Sequence, residues 1–240
     1  MSPSNELKPG GGRIPLLDAW RGVAVILMVG WHFMWDLTTF GAYPQENMFG
    51  TAATLIRYFI VFSFLLLSGI SCRFSRSNAR RGAMALLCAM TVSVVTYLVG
   101  DPVRFGILHL LGCCMLLYAA VGPYLERLPG LPVAAVCLLL FAVTFRIPTD
   151  VRVDVTWTWM FGFRTTAFYS SDYYPLIPWG FLFFVGAVLG DRVRLARERL
   201  AGIKCPAALC WIGRRALWIY MLHQPVLYVL TAVCTGNRPF

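Results

Sequence analysis

Apolar residues run along this chain in long blocks, not in the two- or 3.6-residue alternation of a half-buried element. A helix crossing about 30 Å of hydrocarbon needs about 20 mostly apolar residues. Seven blocks meet or approach that length: 16–37, 52–72, 82–100, 105–125, 128–145, 173–190 and 216–237. Block 82–100 holds no charged residue, and block 105–125 holds none besides His109. The pattern predicts an all-α polytopic bundle of about seven transmembrane helices. Residues 1–12 form a polar, Gly-rich tail, and residues 13–240 one domain without an internal repeat. The first block follows that tail and has no small-residue cleavage site, so we expect an uncleaved helix and not a signal peptide. The longest polar connection, 146–172, contains 155–163, a Trp-rich run too short to span. Two readings fit it: an interfacial segment anchored by Trp157 and Trp159, or a re-entrant lid whose backbone is satisfied by protein or water.

Charge then gives the helices a direction. With the N-terminus in the cytoplasm, 15 of the 21 Lys and Arg fall on the inner side and six on the outer. The 11 acidic residues split five to six. The net +10 therefore sits on one face, and the positive-inside bias orients the bundle N-in and C-out. A cytoplasmic (inner) membrane location follows as the expectation.

Composition confirms the class. The chain is 58% hydrophobic and 13% charged, with mean hydropathy +0.67, against about 25% charged residues in soluble domains. Too few polar residues exist to cover a water-facing surface. A soluble enzyme, a disordered chain and a nucleic-acid module are all excluded, and membrane lipid is the expected surrounding. The eight cysteines lie in or beside the blocks without a Cys-x-x-Cys pair, which suits packing residues better than a disulfide frame. Nothing in the sequence points to a particular oligomeric state.

Ionisable side chains inside a membrane are costly, so each is a candidate for function. All three histidines fall in blocks. At 1.5 Å per residue, His32 lies about 16 Å from the inner boundary, His223 about 12 Å from it, and His109 about 7 Å below the outer one. We expect them to line one cavity. Asp36 follows His32 by four residues, on the same helix face; a carboxylate there fixes the imidazole tautomer and raises its basicity, or else forms a simple helix-end polar pair. His109 either orients a substrate or hydrogen-bonds across helices. His223 precedes Pro225, which is expected to kink its helix, and a structural role is open there too. Three histidines suffice for zinc, but no two share a helix at i, i+4, and no metal is expected. Arg21, Arg73, Arg214 and Arg215 stand at the inner boundary, where they either mark topology or hold a phosphorylated ligand. Arg192, Arg194, Arg197 and Arg199 read as a loop against anionic lipid. On the outer side, Asp172, Tyr173, Tyr174 and Trp179 with two prolines make a stiff rim suited to a sugar, or an aromatic belt.

These residues also resemble a family. Leu17-Asp18-x-x-Arg21-Gly22-x-Ala24 followed by His32 is similar to the first-helix signature of transmembrane acyltransferases, where an Arg and a His separated by ten residues mark the active site. Phe64 to Gly69, Arg104 to His109, Asp172 to Trp179, Ile212 to Arg215 and Tyr220 to Pro225 follow in the order seen in short bacterial relatives of the heparan-α-glucosaminide N-acetyltransferase catalytic domain. The resemblance covers about Arg13 to Val233. It implies transfer of an acyl group, usually acetyl, from cytoplasmic acyl-CoA to a sugar amine or hydroxyl across the membrane. His32 is then the general base or, as a second route, a transient acyl carrier. Asp36 orients it, and His109 positions the acceptor or polarises the thioester. Arg21, Arg73, Arg214 and Arg215 hold acetyl-CoA, while Asp172, Tyr173, Trp179 and His223 contact the amino sugar or glycan. One departure is plain: lysosomal members place their catalytic histidine in the loop after the first helix, and the matching position here, near Met48, has none.

Two rivals belong to other classes. A small-solute or proton-coupled transporter would use the histidines as relays, and a non-catalytic membrane subunit would use none of these groups.

Overall fold

The computed structural model describes residues 13–236. The polar tail 1–12 and the expected end of the last span at Asn237 lie outside the described residues. Ten α-helices occur among the described residues, in the order α1 Pro15–Thr39, α2 Thr51–Cys72, α3 Asn78–Leu98, α4 Ile107–Leu125, α5 Gly130–Thr144, α6 Ile147–Asp150, α7 Leu176–Leu195, α8 Arg197–Ala201, α9 Ala207–Arg214 and α10 Ala216–Thr235. Seven helical segments are long and apolar enough to cross a membrane, as the blocks predicted, with α6 extending α5 in the fifth. The chain is an all-α polytopic bundle.

Boundaries shift where caps decide them. Helix α3 starts four residues before the apolar block because Ser77 accepts the Arg80 N–H at 3.2 Å, so Arg80 and Arg81 form its first turn. Helix α7 starts later than expected, at Leu176, because Pro175 is extended, and Ile177 still leaves the helical region within its first turn. Helix α10 runs unbroken through Pro225; the expected kink does not end it.

Helices α2 and α7 form the centre, packed on each other and on α4. Helix α1 joins α2 to α9 and α10, α3 packs on α4, and α5 packs on α7. Lipid tails are as apolar as leucine, so such contacts depend on close fit and not on removal from water. Glycines supply the fit. A Cβ on Gly186 would lie 2.4 Å from the Leu66 carbonyl oxygen, and one on Gly69 2.1 Å from that of Phe183. The same holds where Gly22 and Gly213 let α1 and α9 touch backbone to backbone. Helix α5 has no buried residue, and large apolar side chains such as Leu87, Leu139, Val143 and Val233 are exposed. In a bilayer those faces meet lipid.

The helix ends sort into two faces. Arg21 on α1 donates to Ser71 on α2 at 2.9 Å and pairs with Asp18. Arg73, after α2, pairs with Glu126 after α4 and Asp191 of α7, and donates to the Tyr118 hydroxyl. At the opposite ends, Ser93 of α3 bonds His109 of α4, and Tyr169 donates to Asp101 at 2.8 Å. Segment 155–163 lies on this second face as a folded cap with a short 3₁₀ turn at Thr158–Phe161. Trp159 and Met160 pack on the core, the Tyr173 hydroxyl donates to the Trp159 carbonyl at 2.6 Å, and Trp157 stays 60% exposed.

Candidate active site

Two of the three histidines meet. Helices α1 and α10 cross so that the His32 and His223 rings are 4.8 Å apart, edge to face at 61°. One turn further along α1, Asp36 is 3% exposed, and its Oδ1 accepts from Gln224 Nε2 at 2.7 Å. Its other oxygen, Oδ2, is buried without a partner. The expected His32–Asp36 hydrogen bond is therefore absent. The i, i+4 spacing is there, but α10 packs over that face of α1 and presents a closer donor, the Gln224 amide.

His223 itself is held from behind. Its Nδ1 lies 2.7 Å from the Tyr220 carbonyl, which only accepts, so Nδ1 carries the hydrogen and Nε2 the lone pair. Nε2 is buried with no partner, as is Gln224 Oε1. The α1–α10 seam thus holds three unpaired acceptor atoms: Asp36 Oδ2, His223 Nε2 and Gln224 Oε1. Native proteins leave few such groups, which makes this seam a candidate site.

His109 stands apart. Its Nδ1 accepts the Gly106 N–H at 3.2 Å, satisfying the first donor of α4. Its Nε2 lies 3.2 Å from Ser93 Oγ, and because that hydroxyl donates to the Val103 carbonyl at 2.6 Å, it accepts from Nε2–H. Both nitrogens are in use, and the ring stacks on Phe105. The expected single cavity lined by three histidines becomes a pair plus one helix-capping residue.

Asp172 caps the same helix start, accepting the Ile107 N–H at 3.0 Å. Burial pushes its carboxyl up to about 6, partly offset by that N–H and by the Arg57 charge. Burial also pushes Tyr173 up to about 12, against the pull of Arg164 and Arg152. Tyr220, one turn before His223 on α10, lies beside the pair, its ring 5.6 Å from that of His223. The expected rim is different: Trp179 is 7% exposed, a core residue among Tyr58, Phe141, Phe145 and Tyr174. Tyr173 secures the cap through Trp159.

The inner arginines divide as well. Arg21 and Arg73 are occupied by the partners described above, so they join helices. Arg214 and Arg215 are exposed, Arg215 over the Trp211 ring at 4.2 Å. A cavity of about 350 Å³ between α4, α5 and α7 ends at Arg73 and contains none of the histidines. Among the described residues, no group of three His, Cys, Asp or Glu is placed to hold a metal.

The profile of the family described as heparan-alpha-glucosaminide N-acetyltransferase, catalytic, matches residues 13–225. The chain belongs to this family. The match starts just before α1 and ends just past His223 and Gln224, so it takes in α1 and the first half of α10 with the His32–His223 contact. Membership in the N-acetyltransferase family gives the protein a membrane acetyltransferase-like function. No curated protein matches the chain, and no solved structure does.

The sequence by itself singles out His32, Asp36 and His223, while Tyr220 and Gln224 enter it only within the Tyr220 to Pro225 motif and Arg57 only in the charge count. Gln224 is visible as a second polar residue beside His223 inside a span, and Arg57 as a charge six residues into the second block.

Proposed function

We propose that the protein transfers an acyl group, acetyl by family analogy, from acyl-CoA at the basic face to an amino sugar or glycan amine or hydroxyl at the opposite face. The observation that carries this reading is the contact between His32 and the buried His223, inside a segment matched by an acetyltransferase family. His32 serves as general base. As the acceptor nitrogen or oxygen attacks the thioester carbonyl, its proton passes to His32; the C–S bond breaks, and the departing thiolate takes the proton. Such a base is worth about 10²–10⁴-fold in rate.

The exposed Arg214 and Arg215 suit the CoA phosphates, while Arg21 and Arg73 keep the helix ends in place. Asp172 supports the outer entrance by holding the start of α4. Asp36, joined to Gln224, keeps α1 and α10 in register beside the pair. The basic face is cytoplasmic and the protein belongs in the cytoplasmic membrane.

Thermal unfolding of the purified protein tests the donor: acetyl-CoA should raise Tm, and Arg214→Ala with Arg215→Ala should remove that rise. His32→Ala should abolish transfer while leaving the acetyl-CoA-induced rise intact. Native transfer rates in His32→Ala would refute the base, and solute uptake independent of CoA would favour a transporter instead.

A further inference from the structure

His223 carries a feature that the proposed chemistry leaves unused. With Nδ1–H held by the Tyr220 carbonyl at 2.7 Å, its lone pair is confined to Nε2, and that atom is buried without a donor. An unpaired buried acceptor is costly, so the position suits a donor that arrives when the site is working. The ring in contact with it is His32, at 4.8 Å between centroids. Asp36, the group that spacing alone would choose to orient His32, is bonded to Gln224.

We propose that His223 is the positioning residue for His32, accepting a His32 ring N–H at Nε2. A turn of the His32 ring closes the contact from the edge-to-face arrangement. The bond leaves the other His32 nitrogen as the lone pair that faces the acyl acceptor. The inference rests on the acyl-transfer reading with His32 as base. During the reaction the acceptor's proton goes to that free nitrogen as the new C–N or C–O bond forms. The C–S bond breaks, and the thiolate removes the same proton. The His32 N–H on the His223 side stays in place throughout, and the Tyr220 carbonyl stabilises the positive charge that the pair holds briefly. The arrangement follows the logic of a carboxylate behind a catalytic histidine, with a neutral imidazole in the carboxylate's place.

The test uses the purified full chain with acetyl-CoA, glucosamine as the amine probe, and release of the CoA thiol as the readout. His223→Gln places an amide oxygen near the position of Nε2, whereas His223→Asn carries the same amide one methylene shorter. We expect His223→Gln to stay within about tenfold of the native kcat and His223→Asn to fall about 100-fold, with glucosamine KM within about threefold in both. Equal kcat in the two variants, or a loss confined to KM, overturns the inference while a dead His32→Ala still supports the base. Turnover that survives in His32→Ala overturns the base assignment itself. A second measurement needs no acceptor: ¹⁵N spectra of histidine-labelled protein with acetyl-CoA should show His223 Nε2 at a hydrogen-bonded shift and His32 in one tautomer, mixed in His223→Asn. A free Nε2 shift and an unchanged His32 tautomer ratio overturn the inference.

Discussion

Gln224 contributes one hydrogen bond, 2.7 Å long, and that bond decides the state of a buried carboxylate. Gln224→Leu leaves both Asp36 oxygens without a donor. Soluble-protein experience sets the penalty for an unpaired buried group at about 1–3 kcal/mol. Interhelical hydrogen bonds in membranes average about 0.6 kcal/mol, because the unfolded chain in lipid also finds partners. The membrane figure sets the lower bound, and we expect a loss of about 0.6–2 kcal/mol, measured by thermal unfolding in detergent, with Gln224→Glu at least as harmful through like charge. Asp36 was legible in the sequence as a carboxylate in a span. Its partner was not, since a one-helix spacing rule cannot see which residue of a distant helix crosses there.

Asp172 gives a pH-dependent counterpart outside the spans. Its carboxyl is raised from 3.8 to about 6 by burial. A raised pKa means that the folded protein holds this proton more tightly than the unfolded chain does. The associated stability is present in full below about pH 4 and is lost as pH rises through about 6. Asp172→Asn keeps an oxygen for the Ile107 N–H but does not titrate. Its Tm should therefore change less between pH 4.5 and 7 than that of the native protein; parallel curves would refute the assignment.

At the scale of elements, the α2–α7 crossing depends on missing side chains. Gly186→Leu puts a Cβ 2.4 Å from the Leu66 carbonyl oxygen, and backbone has nowhere to move. We expect loss of folded protein in detergent, or destabilisation of about 3 kcal/mol or more, in line with overpacking at its severe end. Gly30→Ala is the control, because nothing lies within 4 Å of the added Cβ. Removing a mid-helix glycine there should stabilise α1 by about 0.5–1 kcal/mol. The Gly-x-x-x-Gly spacing of Gly186 and Gly190 was present in the sequence, but not which helix would fill it. The cap at 155–163 shows the same division: its tryptophans announced an interface, while its fold depends on the Tyr173–Trp159 bond from a segment ten residues on.

At the scale of the whole molecule, seven helices long and apolar enough to cross a bilayer, if all cross, would put the start of α1 and the end of α10 on opposite sides. The charge asymmetry of the sequence leads us to propose that the start of α1 faces the cytoplasm. A reporter active only outside the cytosol should work when fused after α10 and fail when fused before α1. The reverse pattern would invert the proposed donor and acceptor sides without touching the fold. The clamp of Arg73 with Glu126 and Asp191 belongs to this scale as well, since it fixes the ends of α2, α4 and α7 on the basic face.

The number of spans, their order and the charge asymmetry between alternate connections were legible in the sequence itself, because hydropathy and charge act on each segment against the bilayer and need no partner. Helix starts were open to one or two turns, set by local caps such as Ser77. Which polar groups meet was decided by tertiary structure alone. The depth arithmetic put three histidines at similar levels, but depth does not specify the direction around the bundle. Packing of α10 on α1 joined His223 to His32 and Gln224 to Asp36, while packing of α3 on α4 drew His109 to Ser93 and away from them.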